Sequence, residues 1–197
     1  MKSEIEAKFL DVNFDDIRRK LTDLGGVCEQ PMRLMRRVTI DNDVMKSKEA
    51  FLRVRDEGHR TTMTYKQFDE LSVDGTKELE VQVSDFESTV EILAQAGLHS
   101  RSFQESKRET WRLGNVEVVL DEWPWLKPYI EIEAEAEKDV RETAEKLGFD
   151  WEDAVFGDVM TAYQAEYPHL APKDTVGNVE SVKFGDPLPD LLKPTSS

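Results

Sequence analysis

Residues Met1–Phe9 read MKSEIEAKF, and their pattern decides what kind of fold this chain can form. Glu4, Glu6 and Lys8 alternate with Ile5, Ala7 and Phe9. Period two is the mark of a strand with unlike faces. One face is apolar and needs cover. The other carries two acids and a lysine, and looks either into water or into a site. The same split recurs downstream. FLRVR sets Arg53 and Arg55 against Leu52 and Val54, and TTMTYK puts Thr62, Thr64 and Lys66 in one row. KELEVQV sets Glu78, Glu80 and Gln82 against Leu79, Val81 and Val83. Arg108 in SKRETW, Glu117 and Asp121 in VEVVLD, and Glu131, Glu133 and Glu135 in YIEIEAE continue the theme.

Helical spacing separates these strands. Asn13 can cap a helix carrying Phe14, Ile17, Leu21 and Leu24, with Gly25-Gly26 as its stop. Asp85 can cap a second, whose stripe is Phe86, Val90, Leu93 and Ala94. KDVRETAEKLGF predicts a short helix ending at Gly148, and AVFGDVMTAYQAEY a last one. RRVTIDND reads as a strand, and turns are expected at Asp56-Glu57-Gly58 and Gly114-Asn115. About eight strands with few helices predict an α+β fold, an antiparallel sheet whose apolar rows the helices cover. A closed barrel of about eight strands has room inside for side chains or one small ligand. At Pro168 the composition shifts, since the last stretch holds five of the eight prolines. The expected division is a body over 1–167 and a Pro-rich tail over 168–197, either clasping the body or partly disordered.

The composition narrows the function. A net charge of −15 over 197 residues argues against nucleic-acid or anionic-membrane binding through the outer surface. It leaves room for a small anionic ligand accompanied by a metal ion. No apolar run approaches a membrane span. The N-terminus lacks a signal-peptide pattern, so a cytoplasmic address is expected. Cys28 is the only cysteine, which excludes an internal disulfide or a cysteine-cluster zinc site. His59, His99 and His169 have no ligand spacing, and no Walker A, G-x-S-x-G or G-x-G-x-x-G pattern occurs. A homodimer is left open.

Each charged row alone fits a solvated sheet face. Together they are sorted by sign, with acidic pairs on some strands and basic residues on others. Like charges two apart on one strand repel unless something compensates. A divalent cation would compensate for the carboxylates, and a polyanion for the arginines. Hard cations bridge carboxylates to phosphates, and Arg and Lys grip phosphate oxygens.

EIEAK resembles the Glu-x-Glu-x-Lys signature of the CYTH superfamily, the triphosphate tunnel metalloenzymes. LRVR, TYK, KELE, KRETW, VVLDEW and YIEIE follow in that family's order, so that the resemblance covers about residues 2–167. It implies an antiparallel eight-stranded barrel forming a tunnel, with helices outside. It implies that Glu4, Glu6, Glu131 and Glu133 bind Mg²⁺ or Mn²⁺. Lys8, Arg37, Arg53, Arg55, Lys66 and Arg108 would hold the triphosphate. Lys8, Glu80 and Asp121 would serve catalysis, the two acids by orienting a base or a metal-bound water, and Glu78 is a weaker acidic candidate. The chain departs from the family's pattern at Thr39, where many relatives carry an aromatic residue. It departs again at WPWLKPY, where Trp123 and Trp125 either stack a base, close the tunnel mouth or simply pack. The tail has no counterpart.

The expected function is metal-dependent hydrolysis of a triphosphate: inorganic tripolyphosphate, a nucleoside triphosphate or thiamine triphosphate. A class IV adenylate cyclase, making cyclic AMP and pyrophosphate from ATP, is the alternative. A non-catalytic nucleotide- or polyphosphate-binding protein is the third reading.

Overall fold

The computed structural model describes residues 2–68 and 76–194; the side chains of residues 2–4 and Thr76 lie outside the description. Eight strands form the frame: β1 (Lys2–Leu10), β2 (Val27–Ile40), β3 (Ala50–Asp56), β4 (Thr61–Phe68), β5 (Thr76–Val83), β6 (Ser100–Leu113), β7 (Val116–Glu122) and β8 (Tyr129–Ala134). Their order is β2-β3-β4-β5-β1-β8-β7-β6, and β6 pairs back to β2, so the pairing closes into a ring. Every pairing in the ring is antiparallel. The expected barrel is therefore present.

The joint between β1 and β5 is short, running only over Lys2–Glu4 against Thr76–Glu78. Beyond it, β1 pairs instead with a loop residue, through Lys8 N–H to Val155 O at 2.9 Å and Val155 N–H to Lys8 O at 3.0 Å.

The helices are α1 (Phe14–Asp23), α2 (Asp43–Lys46), α3 (Phe86–Gln95), α4 (Glu137–Leu147) and α5 (Val159–Glu166). Asn13 caps α1 by accepting from Asp16 N–H, and Asp85 caps α3 by accepting from Ser88 N–H. Gly148, at φ 84°, ends α4 in the left-handed region where glycine carries no Cβ penalty.

Helices α1 and α4 lay Ile17, Leu21, Val140, Ala144 and Leu147 on the outer face of β1, β8 and β7, against Phe9, Ile130, Ile132, Val118 and Leu120. Helix α3 covers Val38, Ile40 and Val54. The apolar rows thus point outward under helices, and this turns the charged rows inward.

One strand runs longer than its periodicity suggests, and one helix starts later. β2 begins at Val27, and its register against β6 shifts around Pro31, where the alternation breaks. α5 begins at Val159, because Asp158 caps it by accepting from Met160 N–H; residues before it form the loop that pairs with β1. The segment after α5 packs on the body. Ser181–Val182 (β9) pairs in parallel with Phe103 and Gln104 of β6. Leu170, Val176, Val182 and Leu192 join Trp123, Tyr129 and Tyr163 in one apolar cluster at an end of the barrel. No helix among the described residues is long and apolar enough to cross a membrane.

Candidate functional site

Strand register dictates who meets in the lumen. Glu6 on β1 sits opposite Glu133 on β8, which sits opposite Glu117 on β7. Lys8 sits opposite Glu131. On the other wall Arg37 of β2 pairs with Arg55 of β3, and Arg55 with Thr62 of β4. Arg53 lies between Thr39 and Thr64, and Thr64 opposes Glu80. All of these alternate with the apolar outer row, so one register places both pools of charge inside.

They enclose a cavity of about 570 Å³. Glu6, Lys8, Arg37, Arg53, Arg55, Lys66, Glu78, Glu80, Arg108, Glu131 and Glu133 all line it. The Glu4 side chain lies outside the described residues. Asp121 does not line the cavity. It is buried behind Arg108, accepting from Nε at 2.8 Å and from Nη2 at 2.5 Å, while the same Nη2 reaches Glu131 at 2.7 Å. Asp121 therefore aims a guanidinium.

Lys8 is 1% exposed, and its three ammonium protons have three acceptors: Glu6 at 2.9 Å, Glu131 at 3.3 Å and the Gly157 carbonyl at 2.5 Å. Burial opposes its charge, but Glu6 and Glu131 outweigh it and raise the ammonium above its ordinary range. Burial would raise Glu131, yet Lys8 and Arg108 hold it at about 2. Lys66 pairs with Glu78. Glu80 accepts from Thr64 at 2.8 Å.

The basic wall is under strain of a different kind. Burial pushes Arg37 down to about 9, and Arg53 and Arg55 add to it; burial and Arg53 do the same to Arg55. Arg55 Nε and the Thr62 hydroxyl are buried with no hydrogen-bond partner. Crowded cations with unsatisfied donors are what a bound polyanion would relieve.

The carboxylates form an all-oxygen donor set in a cross-strand row, which suits a hard divalent cation. Among the described residues no three of them converge as a preformed metal cage requires. Such a cation would take its remaining ligands from water and substrate oxygens.

Sequence reading missed several residues in and around the cavity. Glu57, expected in a turn, is 2% exposed and stands behind the basic wall, where it pairs with Arg55 at 2.5 Å and Arg60 Nε at 2.9 Å. Its signal was parity, since 53, 55 and 57 continue one row. Arg60, Arg112 and Asp158 line the cavity itself. Trp123 packs in the apolar cluster and carries the Arg37 guanidinium 4.2 Å above its ring, while Trp125 Nε1–H donates to Asp186 O.

Residues 2–154 match the family model of the CYTH domain. A protein from Pyrococcus horikoshii is similar in structure, with a TM-score of 0.65 and 26% identity over 77% of this chain and 93% of that one. A Vibrio parahaemolyticus protein named as a candidate adenylate cyclase matches with a TM-score of 0.70 at 12% identity, over 81% of this chain and 96% of that one. A Hippeastrum adenylyl cyclase candidate, described as having a dominant triphosphatase activity, matches with a TM-score of 0.55 at 14% identity, over 87% and 98%. No protein of curated function matches in sequence.

Proposed function

Since the chain belongs to the CYTH domain family, we propose that it hydrolyses a triphosphate inside the barrel with the help of a divalent cation. One observation carries this reading: Arg37 and Arg55 crowd together in the cavity with unsatisfied donors beside them, opposite a row of carboxylates. A phosphate chain fits between the two walls. Arg37, Arg53, Arg55, Lys66 and Arg108 would hold its oxygens and neutralise charge as the terminal phosphoryl group leaves. Glu6, Glu131 and Glu133, with Glu4, would hold Mg²⁺ or Mn²⁺, which when bound neutralises phosphate charge and lowers the pKa of a coordinated water. Asp121 keeps Arg108 aimed inward, and Lys8 spaces Glu6 from Glu131. Glu80, which accepts from Thr64, would receive a proton beside the arginines.

The aromatic side chains of the cavity support hydrolysis over cyclisation. The Trp123 ring already carries Arg37, Phe51 stacks against Phe68 at 6.1 Å, and Tyr129 is packed into the apolar cluster, so none of the three is offered freely to an adenine. The test is to incubate the protein with tripolyphosphate, ATP and thiamine triphosphate, with and without Mg²⁺ or Mn²⁺, and to resolve the products. Metal-dependent release of orthophosphate is expected. Cyclic AMP with pyrophosphate would replace hydrolysis by cyclisation, and tight binding without turnover would leave a polyphosphate-binding protein.

A further inference from the structure

Arg37 is held by a directed chain of hydrogen bonds that ends outside the barrel. Its Nε–H donates to Gln104 Oε1 at 2.8 Å. Gln104 Nε2–H donates to Ser102 Oγ at 3.1 Å, and the Ser102 hydroxyl donates to the Val179 carbonyl at 2.6 Å. The direction is forced. Ser102 has one proton, and Val179 O takes it, so the hydroxyl can only accept from Gln104. The amide must then turn its NH₂ toward Ser102 and its oxygen toward Arg37. Gln104 and Ser102 are buried, so water does not stand in for a lost partner.

The same segment braces the other side of the guanidinium. Trp123, under Arg37, packs among Val176, Val182 and Leu192. Phe103 N–H donates to Glu180 O at 3.0 Å, and Val182 lies in register with Gln104. With Nε engaged and one face on Trp123, the Nη groups are the donors Arg37 has for the cavity. Arg53 and Arg55 repel this guanidinium, so its place needs support. The supporting carbonyl comes from beyond residues 2–154, the part that matches the family model.

We propose that the segment after α5, acting through Ser102 and Gln104, positions Arg37 for the phosphate chain. Ser102 and Gln104 are positioning residues that touch no substrate. This rests on the tunnel reading above.

The test compares Ser102→Ala with Ser102→Thr in the full chain. Ser102→Ala removes the hydroxyl and lets the Gln104 amide turn over, setting donor against donor at Arg37 Nε. Two quantities are read: hydrogen exchange at Arg37 Nε–H by NMR, and the affinity for inorganic tripolyphosphate by calorimetry, with KM and kcat alongside. In Ser102→Ala the exchange should quicken, and Kd and KM should rise about tenfold, the loss of one hydrogen bond. The kcat value should fall less than KM rises, and Ser102→Thr should restore affinity. Unchanged exchange in Ser102→Ala overturns the relay, whatever the ligand does. Faster exchange with unchanged affinity overturns its role in binding. Equal impairment of both variants reduces Ser102 to packing. If the unaltered protein binds no tripolyphosphate, the tunnel reading itself fails, while the exchange data still judge the relay.

Discussion

Glu57 turns back from the β3–β4 hairpin and sets its carboxylate 2.5 Å from Arg55, with Arg60 Nε on its other oxygen at 2.9 Å. Burial alone would raise its pKa, but Arg55 and Arg60 lower it from 4.5 to about 2. A carboxyl depressed in the folded state contributes stability above its unfolded pKa and loses it as pH falls toward the folded value. Glu57 therefore stabilises the fold above about pH 4.5, by roughly 3 kcal/mol at neutrality. That contribution should drain away between about pH 4.5 and 2. Glu57→Gln should lower stability at pH 7 and flatten the acid limb of a stability–pH curve measured by urea unfolding. A curve parallel to the unaltered protein's would refute the assignment.

Lys8 makes a different case, because its three donors are already spoken for. Replacing it with Met takes one cation away from Glu6 and Glu131 and leaves the Gly157 carbonyl without its donor. Breaking a buried pair from one side costs about 3–5 kcal/mol. Lys8→Met should thus lose stability as well as activity, with the loss visible in the denaturant midpoint. An inactive variant of unchanged stability would make Lys8 a substrate contact and not a strut.

The barrel was legible because its strands alternate so strictly. Once Ile5, Ala7 and Phe9 were assigned outward, Glu6 and Lys8 had to face in, and β8 repeated the logic with Ile130 and Ile132 against Glu131 and Glu133. Glu57 escaped because turn composition outweighed parity at Asp56-Glu57-Gly58. The loop at Val155–Asp158 escaped because its pairing to Lys8 is long-range, and local spacing reads its residues as helix. Ser102 and Gln104 escaped because their partners come from a segment whose prolines suggest no regular structure. In each case tertiary contact decided, and a local pattern could not.

The acidic row carries the metal prediction. Glu6, Glu133 and Glu117 stand side by side on β1, β8 and β7. Glu6→Gln keeps the shape and removes one anionic ligand. Hydrolysis should fall by about two orders of magnitude or more, since a bound metal supplies several kcal/mol to the transition state. The rise in Tm on adding Mg²⁺ or Mn²⁺ should shrink in parallel. Full activity in Glu6→Gln would remove Glu6 from the metal site.

The basic wall predicts a stabilisation that needs no turnover. Arg37, Arg53 and Arg55 repel one another in a buried space, and Arg55 Nε has no partner. Tripolyphosphate added without metal should relieve both penalties. At 100 times its Kd the stabilisation is about 2.7 kcal/mol, roughly 5–10 °C in Tm for a chain this size. Arg55→Met should lose most of that shift, because it deletes the orphaned donor and one of the crowded charges together. Orthophosphate, too short to span the row, should shift Tm far less at equal concentration. Equal shifts from both anions, or a full shift in Arg55→Met, would mean that tripolyphosphate acts on the outer surface and that the crowded guanidiniums answer to some other partner.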